Sequence, residues 1–334
     1  MMKSILFIAN YKPGSGGIST QVEILNQMLE TEGYKTAVFS LKGSALFRFM
    51  AFLKLTWEGK KYDVFHVHAC SGRGFLPAII GVKVGNALGK KIILTYHGGG
   101  ARSFFEKHPR LVKRYLNQTT TNIVLSGFIK TVFDQYSIPC VTIPNIIKPK
   151  EKAARERTNL TPKFIGIRSF APIYNVICTI KSFQIVKQRY PQATLTLLGD
   201  GPLRRELERF VDEQDIKDVL FVGRVSNDTI FDYLDKADIM LSSPLIDNMP
   251  VSLLEGFCEG LLVISSNVGG VPYMVKDGET GLLFPSEDFH TMAEKMIWAL
   301  SHQEESIRMI RNAKEEVKKY TWECVGESIK KLYE

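Results

Sequence analysis

A chain of 334 residues exceeds the length at which one hydrophobic core keeps growing, so two domains are expected. Its composition is that of an ordinary globular protein, and its longest apolar stretches, such as LPAIIGVKVGNALG, are broken by Lys or Gly well short of a membrane span. The net charge of +8 is uneven: residues 1–150 carry 20 Lys+Arg against 7 Asp+Glu and the remainder 23 against 28, so the basic first half is expected to face an anionic partner.

The opening MMKSILFIAN has too few apolar residues for a secretory leader and runs into a Gly-rich loop, so it reads as a first strand. GSGGIST (14–20) follows and leads into a helix whose apolar face is Ile18, Val22, Leu25 and Leu29. Free amides at such a turn suit an anion, yet the loop is neither a P-loop nor G-x-G-x-x-G, so a plain tight turn and a phosphate cradle both fit. The runs TAVFS, DVFHVH, KIILTY, NIVLS and CVTIP read as further strands separated by amphipathic segments. His66 and His68 share a strand face, but no Cys or carboxylate completes a metal set, and packed imidazoles at a strand end are the simpler reading. His97 ends a strand and precedes three glycines that let a ligand approach, which makes it a candidate for substrate contact. Residues 41–61 and RSFFEKHPRLVKRYL (102–116) mix large apolar side chains with Lys and Arg. A solvated basic helix face fits them, and so does contact with an anionic membrane surface, where each basic residue contributes about 1 kcal/mol.

Residues 146–162 lose the apolar period and gather charge and proline, as a linker does. The alternation then restarts with FIGIR, ATLTLLG, VLFVG, DIMLS, LLVIS and GLLF. The expected fold is therefore α/β, with two Rossmann-like doubly wound parallel-sheet domains, 1–150 and 151–334. Ligands of open parallel sheets bind beyond the carboxyl ends of the strands, and the candidate motifs all fall there, which favours a cleft between facing domains. Arg168 closes the first strand of the second half, where a diphosphate or a structural ion pair would suit it. In SSPLIDNMPVSLLEGFCEG (242–260), Asn248 and Pro250 look like a helix entry, with Asp247 just outside and Glu255 about a turn and a half inside. Val251, Leu254 and Cys258 would form the apolar face, leaving Ser252, Glu255 and Glu259 on another. The helix start would supply amides to a diphosphate with a carboxylate on either side for hydroxyls, although a solvated cap and helix face have the same spacing. Five scattered cysteines without a C-x-x-C pair argue for a reducing compartment and against a disulfide framework or zinc site.

This constellation resembles the retaining nucleotide-sugar glycosyltransferases of glycosyltransferase family 4, which have the GT-B fold of two facing Rossmann-like domains; the resemblance implies that a final helix near 318–334 packs back on the first domain. The resemblance covers nearly the whole chain: GSGG, YHGGG, LSGFIKTVF, IPNII, ATLTLLGDGPLRRELE, VLFVGRVSND, the specific block from Ala237 to Pro272, DGETGLLF and YTWECVGESIKKLYE. It implies that Glu255 holds the ribose hydroxyls of the donor and that Asp247 contacts the transferred sugar near the reacting carbon. Met249 and Val251, with Asn248 and Ser252 beside them, would meet the sugar or diphosphate through backbone amides. Arg168 would neutralise the departing diphosphate, and His97 would reach the donor sugar. Gly16 and Gly17 would bring backbone close to the phosphates, and Gly223 to Val225 would lie near the base. The implied reaction moves a hexose-type sugar from a nucleotide-diphosphate sugar, with no metal or other cofactor, to a glycan acceptor bound by the basic first half.

A lipid-linked acceptor in bacterial surface polysaccharide synthesis, met by a cytoplasmic enzyme peripheral to the inner membrane face, joins the resemblance to the basic apolar segments. Three departures stand out: the first acid is Asp247 where the family usually has Glu, no Lys follows Arg168 at Tyr174–Asn175, and Tyr273 replaces a common Glu. Rival readings are a nucleotide-sugar epimerase on the same scaffold and a two-domain solute-binding protein, which would want an export signal. Nucleic acid is not an expected partner, because no recognised reading motif accompanies the basic half.

Overall fold

The computed structural model describes residues 2–14, 16–149, 154–226 and 229–334, with backbone alone at 45–49. The side chains at 45–49 of the basic segment, Asn227 and Asp228 of VSND, and residues 150–153 of the expected linker lie outside the described residues. Two compact units are present, Met1–Lys148 with Tyr320–Glu334, and Pro149–Lys319.

The first unit runs β1 (Ile5–Ala9), α1 (Ile18–Thr31), β2 (Thr36–Ser40), α2 (Ala45–Glu58), β3 (Val64–Ala69), α3 (Leu76–Ala87), β4 (Lys91–Tyr96), α4 (Ala101–Lys107), α5 (Pro109–Leu116), β5 (Thr121–Val124), α6 (Gly127–Gln135) and β6 (Val141–Thr142). Its strands pair in parallel in the order β2-β1-β3-β4-β5-β6. Both faces are covered, which is why β1 and β3 read as continuous apolar runs rather than alternating ones. Leu6, Ile8, Phe65, Val67 and Leu94 point into one core. Ile5, Phe7, Val64 and Ile93 point into the other, against Val22, Leu25 and Leu29 of α1.

The second unit runs β7 (Lys163–Ile167), α7 (Val176–Arg189), β8 (Thr194–Leu198), α8 (Arg204–Glu213), β9 (Val219–Gly223), α9 (Ile230–Lys236), β10 (Ile239–Ser242), α10 (Val251–Cys258), β11 (Leu262–Ser266), β12 (Leu282–Phe284), α11 (Phe289–Ser301) and α12 (Gln303–Glu316). The final helix, α13 (Trp322–Tyr333), returns to the first unit, where Val325, Ile329 and Tyr333 complete the core under α1. The second sheet has the order β12-β11-β10-β7-β8-β9, the doubly wound arrangement that reverses direction between β7 and β10.

The boundary between the units falls within the stretch 146–162 expected as a linker, whose ends are anchored: Ile146 and Ile147 are buried in the first unit, and Leu160 and Arg157 in the second. Arg157 donates to the carbonyls of Leu234, Ala237 and Glu259 and to the Asp238 carboxylate, so a charge that looks like linker composition is an internal tie. The helix after β10 begins at Val251 with Pro250 at its N-cap, whereas Asn248 is buried in the preceding loop. Its core side is Leu253, Leu254, Gly256 and Phe257; Val251 and Cys258 are only half-buried, and Glu259 is buried.

Candidate functional site

In the second unit the two loops at the reversal point carry the charges. Arg168 is the first residue after β7, and its guanidinium Nη2 lies 3.0 Å from Asp247 Oδ2 in the loop after β10. The same nitrogen reaches Ser242 Oγ at 3.4 Å, and the ring of Tyr174 sits 5.4 Å beneath the guanidinium. Arg168 Nε is buried and has no hydrogen-bond partner among the described residues. Arg168 is thus positioned on two sides but still holds an unused donor.

Glycines let the backbone pack tightly around this pair. Gly199, at φ 145°, would place a Cβ 1.8 Å from the Arg168 carbonyl oxygen; Gly269, at φ 53°, would place one 2.0 Å from that of Asp247. Gly270 N–H donates to the same Asp247 carbonyl at 3.0 Å. The turns GDGP and NVGGVP therefore clamp the two charged residues, a task their sequences do not announce. Asp247 Oδ1 accepts the Asn248 N–H at 2.8 Å, so the acid orders its own loop rather than capping the helix.

Glu255 lies on α10, one turn in from the helix start. Burial pushes its carboxyl up to about 7, and the positive charge of Arg168 pulls the other way. At the head of α10 the amides of Val251 and Ser252 have no intrahelical acceptor, as in any first turn. Met249 and Asn248 are buried in the loop leading to them. Arg168, Asp247, Glu255, Val251 and Ser252 thus belong to one region of the second unit. Gly223 ends β9, where its carbonyl accepts the Gly199 N–H at 2.8 Å; it is buried, and Val225 beyond it is half-buried.

His97, Gly16 and Gly17 belong to the first unit. Gly16 and Gly17 are exposed, with φ of 72° and 56°, and Gly17 is the N-cap of α1. His97 follows β4 and is half-exposed, yet its imidazole is pushed down to about 3 by burial of the ring. Its Nε2 meets His68 Nδ1 at 2.9 Å. His66 and His68 are buried within β3, each 1% exposed. Among the described residues no group of three or more His, Cys, Asp or Glu is close enough to hold a metal ion.

The basic segments differ from each other. In α4 and α5 the apolar residues Phe104, Phe105, Val112, Tyr115 and Leu116 turn inward, and the outer side is mainly charged, with Arg102, Lys107, Arg110, Lys113 and Arg114 exposed. In α2, Ala51 and Leu55 pack inward while Met50, Phe52, Leu53 and Trp57 are exposed, Trp57 by 71%. Among the described residues no helix is long and apolar enough to cross a membrane.

Against known families, the sequence model described as Glycosyl transferases group 1 matches residues 148–316, half of the chain. The chain belongs to this glycosyltransferase family. A second model, Glycosyltransferase Family 4, matches residues 29–151 of this glycosyltransferase. The enzyme is 25% identical over 360 residues to the uncharacterized glycosyltransferase MJ1178 of Methanocaldococcus jannaschii, covering 100% of this chain and 99% of that one. It is 28% identical over 246 residues to the amylovoran biosynthesis glycosyltransferase AmsK of Erwinia amylovora, covering 69% of this chain and 60% of the relative. The crystal structure of Anabaena Alr3699/HepE in complex with UDP and glucose superposes with a TM-score of 0.78 at 14% identity, over 98% of both chains. Two six-stranded parallel sheets flanked by helices match the GT-B fold of these structural neighbours.

Proposed function

We propose that this glycosyltransferase moves a hexose-type sugar from a nucleotide-diphosphate sugar to a lipid-linked glycan, with retention at the anomeric carbon, in bacterial cell-surface polysaccharide synthesis. The observation that carries the reading is Arg168: a guanidinium at the switch point of a doubly wound sheet, paired with Asp247 and keeping a buried N–H unused. As the bond between sugar and phosphate breaks, negative charge grows on the diphosphate. A preorganised cation and the amides of Val251 and Ser252 lower that barrier selectively. Asp247, drawn to Arg168 in the free enzyme, faces the transferred sugar once the diphosphate shares the guanidinium. Glu255 takes the ribose hydroxyls as an acceptor, and His97 meets the sugar. No metal or cofactor is invoked, since Arg168 and the amides carry the phosphate charge.

The neighbour crystallised with UDP and glucose supports a uridine nucleotide as the first donor to try, and the amylovoran relative supports a polysaccharide product. The exposed apolar face of α2, with Lys54 beside it and Lys60 over Trp57, supports an acceptor held at an anionic membrane surface on the cytoplasmic side. A panel of nucleotide sugars scored by thermal shift identifies the donor, because a bound ligand stabilises the fold by mass action. With that donor, Glu255→Gln raises the donor KM, and Asp247→Asn mainly lowers kcat. Unaltered kinetics in both variants would refute the assignment.

A further inference from the structure

Three imidazoles form a ladder on one face of the first sheet. His66 and His68 alternate along β3 onto the same face, and the register that pairs His68 with Thr95 brings His97, two residues on, beside them. Ring centroids are 4.5 Å apart for His66–His68 and 5.1 Å for His68–His97, with planes tilted by only 30° and 26°. At the inner end His66 bonds the Tyr333 hydroxyl through Nδ1 at 2.7 Å and the Thr95 hydroxyl through Nε2 at 2.8 Å. Both hydroxyls donate or accept, so His66 is satisfied in either tautomer.

The next rung is more restrictive. Burial holds His66 and His97 down to about 3 and His68 well below its ordinary value, so the rings are neutral near neutral pH and one hydrogen lies between His68 Nδ1 and His97 Nε2. His68 Nε2 is buried and has no hydrogen-bond partner among the described residues. Were the shared hydrogen on His97, His68 would carry its own on Nε2, a buried donor without an acceptor. With the shared hydrogen on His68 Nδ1, Nε2 is a bare nitrogen instead, and orphaned buried donors are the rarer kind.

We propose that His68 is a positioning residue for His97: donating from Nδ1 to His97 Nε2 and stacking on its ring, it fixes the plane of His97 and leaves the hydrogen of His97 on Nδ1. The proposal rests on the reading of His97 as a residue that meets substrate. It gives the HVH motif a task and removes His97 Nε2 as a base, because that nitrogen accepts from His68. Tyr333, next to last in the chain, steadies the ladder from α13.

Histidine side-chain 15N NMR on the full chain reads the protonated nitrogen directly and needs no activity. His97 is expected to carry its hydrogen on Nδ1; a hydrogen on His97 Nε2 in the wild-type chain overturns the proposal. His68→Leu, which lacks the donor, is expected to lower kcat about tenfold or more, since small losses of orientation are costly. His68→Asn, whose amide nitrogen falls near the place of Nδ1, is expected to recover most of that loss. Equal kcat in His68→Leu and wild type also overturns it. Should His68→Leu fail to fold by circular dichroism, the wild-type NMR result still decides. If the wild-type chain transfers no sugar, the proposed function fails while the tautomer stands or falls by itself.

Discussion

Asp247 and Glu255, eight positions apart, are the same kind of group in different surroundings. Asp247 has a cation at 3.0 Å and a backbone donor at 2.8 Å, while Glu255 has its carboxyl raised to about 7 by burial, only partly offset by Arg168. Ribose hydroxyls are accepted by the ionised form, so donor binding should strengthen with rising pH. With a value of about 7, the ionised fraction grows about tenfold between roughly pH 6 and pH 8. The donor KM is expected to fall by a similar factor over that range, and in Glu255→Gln the slope should vanish; a slope that persists in the variant would assign it to another group. Stability has the opposite sign. The stability that Glu255 contributes is full below the ordinary carboxylate value of 4.5 and is lost as pH rises through about 7. Urea titrations of the donor-free chain should therefore show a decline across that window that Glu255→Gln lacks.

At the scale of elements, the segment that enters the second unit shows how a charged stretch becomes part of a core. Asp238 is 1% exposed immediately before β10 and is held by Arg155, Arg157 and both the amide and hydroxyl of Thr161. Removing Arg157 would leave that carboxylate with fewer partners and take a donor from the carbonyls of Leu234, Ala237 and Glu259, although Ala237 keeps Arg155 and Leu234 keeps the Ala237 amide. Arg157→Met is expected to cost about 3–5 kcal/mol of the second unit's stability, the range for breaking one side of a buried pair. Arg157→Lys should recover only part, because an ammonium cannot span the same fork of acceptors. Urea unfolding of the full chain measures both; a loss below about 1 kcal/mol in Arg157→Met would mean that Arg155 and Thr161 suffice.

At the scale of the whole molecule, α2 leaves Met50, Leu53 and Trp57 at i, i+3 and i+7 on a solvent-facing side, where apolar surface has no folding role. Binding to vesicles rich in anionic lipid is expected at low salt, weakening as salt is raised, with a blue shift of Trp57 fluorescence. Leu53→Ser with Trp57→Ser should reduce binding severalfold while leaving transfer to a soluble acceptor intact. Equal binding to neutral and anionic vesicles, or none to either, would remove the membrane part of the reading. The amino-acid sequence by itself determined the alternation of strands and helices, because buried parallel strands are continuous apolar runs and their helices keep a 3.6-residue period. It also placed Arg168 at a strand end, Asp247 in the loop after another strand and Glu255 inside the helix that follows, since local order sets which residue follows a strand. Only the tertiary structure decided that Arg168 and Asp247 pair, that Gly199 and Gly269 clamp them, that Arg157 is interior and that His68 holds His97. Those are contacts between segments tens of residues apart, and no local period or propensity records which distant partner a side chain will meet.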